Sequence, residues 1–323
     1  MSLPVEGTIP SLAGATGWLN SPPLDPASLR GKVVVADFCT YTCINWLRTL
    51  AFVRGWWERY ADDGLVLIGV HTPEFAFEHD VDNVREALAS MRVEYPIALD
   101  NDYAVWDAFA NHYWPALYVI DAEGRIRHHH FGEGDEQRSE QVMRELLAEA
   151  GADVGEERAA VEPTGPEVAA DWDDLGSAET YLGSGRTEGF GSPGGIVPGR
   201  SHAYEGAERL RQNHWSLAGT WTAHPDRVSL DEPNGRIDFA FHARDVHLVM
   251  GPRERGTKIP FRVTIDGEPP VGAAGTDVGP DGAGSLVEQR MYQLVRQTGP
   301  VRDRGFSIRF EDPGAEAFAF TFG

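Results

Sequence analysis

Two cysteines, Cys39 and Cys43, are the residues of this chain whose type and position could support covalent chemistry. They lie in VVVADFCTYTCINWLRTL, residues 33–50, where an apolar strand pattern runs directly into a helical one. A thiol at a helix N-terminus lies near unpaired backbone N–H groups and the positive end of the helix dipole, which favour the attacking thiolate. We therefore predict that Cys43 is the nucleophile.

Cys39 lies four residues before Cys43 and is a candidate partner for it. A disulfide needs Cα atoms about 4.4–6.8 Å apart, whereas an extended four-residue step can exceed about 13 Å. The pairing therefore requires residues 40–42 to turn tightly. The alternative is that Cys39 is a small buried residue at the end of a core strand. The sequence leaves both open.

The elements that must position these thiols alternate between strand and helix over residues 32–150. Strands are predicted at residues 32–38, 65–70, 116–121 and 125–131, and helices at about 43–60, 81–91, 103–109 and 137–150. Such alternation favours an α/β sheet covered by helices. In the first helix, apolar residues at three- and four-residue steps predict one buried stripe, which consists of Trp46, Leu47, Leu50, Val53, Trp57 and Tyr60.

The pattern changes after residue 151. Residues 152–200 are rich in Gly, Pro and acidic residues, which predicts a connector. Residues 201–323 contain about eight short alternating segments separated by turns, which is typical of a β-sandwich or jelly roll. We therefore divide the chain into an α/β domain at 1–151, the connector at 152–200 and an all-β domain at 201–323.

Composition narrows the classes of partner and compartment. The chain has 50 acidic and 28 basic side chains, a formal net charge of -22, which argues against nucleic acid and anionic membrane surfaces as partners. The N-terminus lacks signal-peptide features, and no run approaches the roughly 20 apolar residues of a membrane helix. We predict a cytoplasmic protein. Cysteine and histidine spacings typical of zinc sites are absent from the sequence.

Several stretches carry a family resemblance: LRGKVVVADF, TYTCIN, GVHTPEF, YPIALDNDYAVWDAF, WPALYVIDAEGRI, ETYLG and the terminal FAFTFG. The first half resembles the TlpA-like redoxins of the thioredoxin superfamily. The whole chain resembles the soluble part of DipZ-type proteins, a redoxin domain followed by a carbohydrate-binding-like β-sandwich. The resemblance implies an α/β thioredoxin fold followed by an all-β, jelly-roll-like sandwich.

The resemblance also implies roles for single residues. Cys43 matches the attacking cysteine, Pro115 the cis-proline that faces it, and Asp37 a buried acid beneath it. Such families ordinarily carry a resolving cysteine three residues after the first, where this chain has Trp46. Cys39 stands where the family commonly has tryptophan, so an aromatic residue and a thiol are exchanged between these two positions.

We therefore predict an atypical thiol–disulfide oxidoreductase-like redoxin that acts through Cys43, with Cys39, Pro115 and Asp37 as the other catalytic candidates. A mixed disulfide on Cys43 must be resolved by Cys39, by a low-molecular-weight thiol or by a partner protein. No metal or organic cofactor is expected. The expected partner is a protein or low-molecular-weight thiol or disulfide.

Two other functions stay open. One is a non-enzymatic binding or scaffold protein whose redox site is degenerate. The other is a thiol-dependent peroxidase, because Thr40 and Cys43 reproduce the T-x-x-C half of the peroxiredoxin signature. The proline expected seven residues before the cysteine is Ala36, so we rank the peroxidase below disulfide chemistry.

A substrate groove is predicted around the thiol, formed by Thr40, Tyr41, Trp46, His71 and Trp114. His71 is expected in a loop after a strand, either as a proton carrier with Glu74 nearby or simply solvated. The run from His128 to His130 is interpreted as surface histidines rather than a metal site.

In the β-domain, three aromatic residues could form a platform for sugars: Trp215, Trp221 and Tyr292. Aromatic residues at alternating strand positions more often belong to the core, so glycan binding is not expected. The sandwich is instead the candidate surface for contacts between domains or for a homo-oligomer.

Overall fold

A computed structural model describes residues 3–323 of the chain and divides them into two units. The first unit ends at Glu167 and the second begins at Val168. Between residues 3 and 323 we find no helix with both the length and the apolar character needed to cross a membrane.

The first unit is a seven-stranded sheet covered by helices. In chain order its elements are β1 (Gly7–Thr8), β2 (Gly17–Leu19), β3 (Val33–Cys39), α1 (Ile44–Tyr60), β4 (Leu65–His71), α2 (Val81–Ser90), β5 (Ile97–Leu99), α3 (Ala104–Ala108), β6 (Ala116–Ile120), β7 (Arg125–Phe131) and α4 (Glu136–Glu149). Short 3-10 helices span Ala76–His79 and Gly165–Glu167. The predicted α/β alternation is confirmed, whereas the short strands β1, β2 and β5 were not predicted.

Strand β3 is the middle strand of the sheet order β1-β7-β6-β3-β4-β5-β2. It pairs in parallel with β4 and antiparallel with β6, and all seven of its residues are buried. A strand buried on both faces requires a nearly continuous apolar sequence, which VVVADFC provides apart from Asp37. The parallel register places Cys39 opposite His71.

Helix α1 is buried more widely than its predicted stripe. Five residues of the stripe are buried, whereas Trp57 is half-buried and its neighbour Trp56 is buried. The wider burial arises because residues of the 152–167 segment cover a second side of the helix: a Cβ on Gly55 would lie 3.0 Å from the carbonyl oxygen of Ala160.

The 152–167 segment is held on the first unit by polar contacts. Arg54 of α1 forms an ion pair with Glu167 at 2.5 Å, and Arg59 donates to the carbonyl of Val154 at 2.6 Å. This part of the predicted connector therefore has fixed partners on α1.

The regular elements of the second unit, within the described residues, are strands that pair antiparallel. They are β8 (Thr180–Tyr181), β9 (Ser201–Tyr204), β10 (Trp215–Ala223), β11 (Val228–Leu230), β12 (Arg236–Phe241), β13 (Asp245–Pro252), β14 (Ile259–Ile265), β15 (Ala283–Leu286), β16 (Arg290–Arg296), β17 (Arg304–Phe310) and β18 (Ala315–Phe322). The main order is β15-β14-β17-β12-β10-β11-β18-β13-β16, with β8 on β18 and β9 on β10. The predicted all-β domain is confirmed.

Strand β10 belongs to both layers of this sandwich. Its residues 215–218 pair with β12, whereas residues 221–223 pair with β11. The layers enclose a core in which Phe239 of β12 contacts Phe320 of β18, with ring centroids 5.0 Å apart. Gly219 lies where β10 changes partner, and its φ is +97°.

Substitution of Gly219 should weaken the sandwich. A side chain there is strained by the positive φ, and its Cβ would lie 3.1 Å from the Cα of Gly235. We expect Gly219→Ala to lower the free energy of unfolding of the second unit by about 3 kcal/mol. The control Gly199→Ala also has a positive φ, but its Cβ would meet nothing within 4 Å, so about 1 kcal/mol is expected. Hydrogen exchange of β10–β13 peptides measures both; equal losses would contradict the prediction.

Candidate active site

Cys43 lies at the junction between the turn that follows β3 and the first residue of α1. It is the N-cap residue of the helix, with φ −73° and ψ 115°, and it is half-buried. Its N–H donates to the carbonyl of Thr40 at 3.1 Å, and its own carbonyl accepts the N–H of Leu47 at 2.9 Å. The thiol is therefore held near the positive end of a 17-residue helix, where a thiolate is favoured.

The loop before β6 faces this thiol. The Trp114–Pro115 peptide bond is cis, and the Sγ of Cys43 donates to the carbonyl oxygen of Trp114 at 3.9 Å. The structure thus brings together two sequence candidates, Cys43 and Pro115, that are 72 residues apart in the chain.

Beneath the thiol, Trp46 and Asp37 form a buried polar pair. The Trp46 ring is fully buried, and its Nε1 donates to Asp37 Oδ2 at 2.9 Å. Burial raises the pKa of Asp37 to about 7, and the bond from Trp46 opposes this rise. The tryptophan at the position of the usual second cysteine therefore provides a hydrogen bond to one oxygen of the buried acid.

A cavity of about 20 Å³ adjoins Asp37, enough for one water molecule. Three of its lining residues come from different elements. They are Pro115 of the loop before β6, the half-buried His130 of β7 and the buried Ser139 of α4. Asp37 is therefore close to polar groups on two further elements, although its carboxyl group does not reach solvent.

Cys39 ends β3 and is fully buried. The structure holds Cys39 and Cys43 as thiols rather than as a disulfide. Burial raises the pKa of Cys39 well above its ordinary value, and the negative charges of Asp37 and Glu78 add to this effect. Cys39 therefore ionises much less readily than an exposed cysteine.

His71 is the last residue of β4 rather than a loop residue, so the expectation of a loop histidine is wrong. The ring is fully buried and stacks on Tyr41 at a centroid distance of 5.7 Å. Among residues 3–323, neither ring nitrogen has a hydrogen-bond partner. Burial lowers its pKa to about 3, so the imidazole is neutral near pH 7.

Four of the five residues predicted to line a groove lie beneath the surface instead. Trp114 is half-buried, whereas the other four are at most 1% exposed: Thr40, Tyr41, Trp46 and His71. Tyr113 and Phe131 are exposed beside Trp114, with ring centroids 5.0 Å apart. The predicted groove is therefore not formed by these four residues, which are buried.

Sequence reasoning did not identify Glu78, which contacts the turn before Cys43. Its carboxylate is fully buried and accepts hydrogen bonds from the hydroxyls of Thr40 at 2.6 Å and Thr42 at 2.7 Å. The available signal in the sequence was an acidic residue directly after Phe75, Ala76 and Phe77.

The three consecutive histidines of β7 contact different partners. His128 approaches the hydroxyl of Ser139 at 3.4 Å, and His129 contacts Glu6 at 2.7 Å. His130 contacts the carbonyl of Glu133 at 3.3 Å. Within the described part of the chain, no three His, Cys, Asp or Glu side chains are grouped so as to hold a metal ion.

The three aromatic residues considered for a sugar platform lie in the core of the sandwich. Trp215 and Trp221 are fully buried, and Tyr292 is 1% exposed. Their polar atoms donate to backbone carbonyls, as Trp221 Nε1 does to Ala218 at 3.0 Å. The platform hypothesis is therefore wrong for these residues.

Comparisons with known proteins agree with the two-unit organisation. A family described as "Thioredoxin like C-terminal domain" matches residues 177–323. Protein DipZ of Mycobacterium bovis is 38% identical over 323 residues, which cover 98% of this chain and 43% of that protein. The chain thus spans less than half the length of this relative.

A shorter relative is similar to a smaller part of the chain. The thiol-disulfide oxidoreductase YkuV of Bacillus subtilis is 30% identical over 141 residues, 44% of this chain and 95% of that protein. A solved thioredoxin-like protein in its oxidised form is 30% identical, with a TM-score of 0.41, and covers 44% of this chain and 96% of its own.

The buried Asp37 predicts a pH-dependent stability. Because its pKa is raised in the folded state, the stabilisation from its proton is present below pH 3.8 and is lost as the pH rises through about 7. Asp37→Asn cannot lose this proton. Relative to wild type, its free energy of unfolding should therefore rise by about 3 kcal/mol between pH 5 and pH 8.

Urea denaturation at the two pH values measures this difference. Glu94→Gln, which removes an exposed carboxylate of the same unit, should follow the wild type. Parallel pH dependence of wild type and Asp37→Asn would show that Asp37 is ionised in the folded protein throughout this range.

Proposed function

Because the chain belongs to the family of thioredoxin-like thiol–disulfide oxidoreductases, we propose that it catalyses thiol–disulfide exchange through one thiol, Cys43. The observation that carries the proposal is the difference between its two cysteines. Cys43 is half-buried at the N-terminus of α1 against the loop that contains cis-Pro115, whereas Cys39 is fully buried.

The proposed reaction has two exchange steps. The Cys43 thiolate attacks one sulfur of a disulfide, forms a mixed disulfide and releases the other half as a thiolate. A second thiolate, from a protein or a small molecule, then attacks the mixed disulfide. The second thiolate bonds to the substrate sulfur of the mixed disulfide, and the Cys43 thiolate is released. The products are a new disulfide and the regenerated Cys43 thiolate, so the protein undergoes no net redox change.

The second thiol is proposed to come from outside the chain for two reasons. Position 46, where such families carry the resolving cysteine, holds the buried Trp46 ring. Cys39 is buried, and its raised pKa keeps it protonated, although exchange needs a thiolate. The proposed partners are therefore a disulfide-containing protein or small molecule and a separate thiol.

The peroxidase alternative loses its main support from the position of Thr40. This residue is fully buried, and its hydroxyl proton is donated to Glu78 rather than directed toward a bound peroxide. A degenerate scaffold is the rival that experiments must separate from the proposal. The cytoplasmic compartment stays a prediction from the sequence.

The one-thiol mechanism predicts different results for the two cysteine variants. In a reaction with 4,4′-dithiodipyridine, native wild type and Cys39→Ser should each release one equivalent of thiopyridone rapidly and gain the mass of a mixed disulfide. Cys43→Ser should release none over the same time. A slow reaction of wild-type Cys43 would favour the scaffold, and a second equivalent with an internal disulfide in wild type would make Cys39 the resolving thiol.

The exchange of residue types at positions 39 and 46 can be reversed. In Cys39→Trp/Trp46→Cys, the introduced thiol lies three helical residues after Cys43, within the reach of a disulfide. We expect this variant to release two equivalents and to lose two hydrogens in mass. The single variant Trp46→Cys is the control for the loss of the Trp46 ring, which should destabilise the protein by about 3–5 kcal/mol. A folded double variant that stays a dithiol would show that Trp46 is not what prevents dithiol chemistry.

A further inference from the structure

Glu78 lies in the short 3-10 helix after β4, and each of its carboxylate oxygens has a distinct set of donors. Oε2 accepts the backbone N–H groups of Glu74 at 2.7 Å and Phe75 at 2.8 Å. Oε1 accepts the hydroxyls of Thr40 and Thr42. One side chain therefore joins the turn after β4 to the turn that precedes Cys43.

Local helix capping explains only half of this arrangement. A glutamate at the third position of a helix commonly accepts the N–H of the N-cap residue, which is the contact between Oε2 and Phe75. The contacts of Oε1 reach residues 36 and 38 positions away in the chain. Capping does not require these contacts, which connect Glu78 to the turn that precedes Cys43.

The carboxylate is also in an unfavourable environment for a charge. It is fully buried, and within residues 3–323 no ion pair to Glu78 is present. Burial raises the pKa of Glu78, and its four hydrogen bonds oppose that rise. Burying a carboxylate without a cation costs free energy unless hydrogen bonds compensate, and here half of these bonds come from the turn at Cys43.

The two threonines hold Cys43 from both ends of the turn. Thr42 directly precedes Cys43 in the chain, and the carbonyl of Thr40 accepts the N–H of Cys43 at 3.1 Å. When both hydroxyls bind one oxygen atom, the turn has little freedom to rotate Cys43 away from the first amides of α1.

We propose that Glu78 is a positioning residue for Cys43, which holds the thiol at the N-terminus of α1 through Thr40 and Thr42. The inference rests on the proposed function of Cys43. Burial raises the pKa of two neighbouring titratable groups, Cys39 and Tyr103, and the charge of Glu78 adds to both shifts. Glu78 thereby also disfavours ionisation of the second thiol.

The test compares threonine variants that differ by one hydroxyl. Thr42→Val and Thr40→Val keep the side-chain shape and remove one donor each, so the carboxylate keeps its other three hydrogen bonds. Alkylation of Cys43 by iodoacetamide in the full chain, followed by peptide mass spectrometry over a pH series, gives its rate and midpoint. We expect each valine variant to react about tenfold more slowly at pH 7, which is a midpoint about one pH unit higher.

Two sets of controls separate positioning from packing. Thr42→Ser and Thr40→Ser restore the hydroxyl and should restore the wild-type midpoint. Thr72→Val removes the hydroxyl of another buried threonine that donates to a carboxylate, that of Asp100 at 3.2 Å, and should leave the midpoint unchanged.

The outcomes distinguish this inference from the proposed function. Valine variants that fold and react with the wild-type midpoint would overturn the role of Glu78 and leave the exchange activity of Cys43 standing. An unreactive Cys43 in the wild type would overturn both. A raised midpoint in the valine variants alone supports the inference.

Discussion

The turn between β3 and α1 has to satisfy two opposite demands within four residues. Cys39 at its start lies in the middle strand of the sheet and is fully buried, whereas Cys43 at its end is only half-buried. A turn that leaves a sheet interior this abruptly needs partners for its buried hydroxyls and amides. Glu78 accepts hydrogen bonds from the hydroxyls of Thr40 and Thr42, and the carbonyl of Thr40 accepts the N–H of Cys43.

The exchanged residues at positions 39 and 46 change what the buried acid can do. A thiol at position 46 could pass a proton to or from Asp37, but the indole N–H of Trp46 can only donate a hydrogen bond. The bond to Trp46 satisfies one oxygen of the carboxyl group, while burial keeps its pKa near 7. The partner of the buried acid is therefore an indole N–H rather than a thiol.

Three buried titratable side chains surround the two thiols, and each avoids an unpaired charge in a different way. His71 is neutral because burial lowers its pKa, and Asp37 can be protonated near neutral pH. Glu78 is compensated by four hydrogen bonds. None of the three forms an ion pair within residues 3–323, so the site is polar yet holds few fixed charges.

The sequence by itself determined the longer elements and the order in which they follow one another. The periodicities of VVVADF and of the segment after Cys43 decide between strand and helix locally, and a family motif identifies Cys43, Pro115 and Asp37 as residues that belong together. Short strands such as β5 lack such periodicity, because three residues are too few to show it. The tertiary structure alone decided which side chains are buried around the thiol. His71 was expected in a loop and lies inside the sheet, and Glu78 contacts a turn 36 residues away. Burial and hydrogen bonding depend on distances between residues remote in the chain, which no local pattern records.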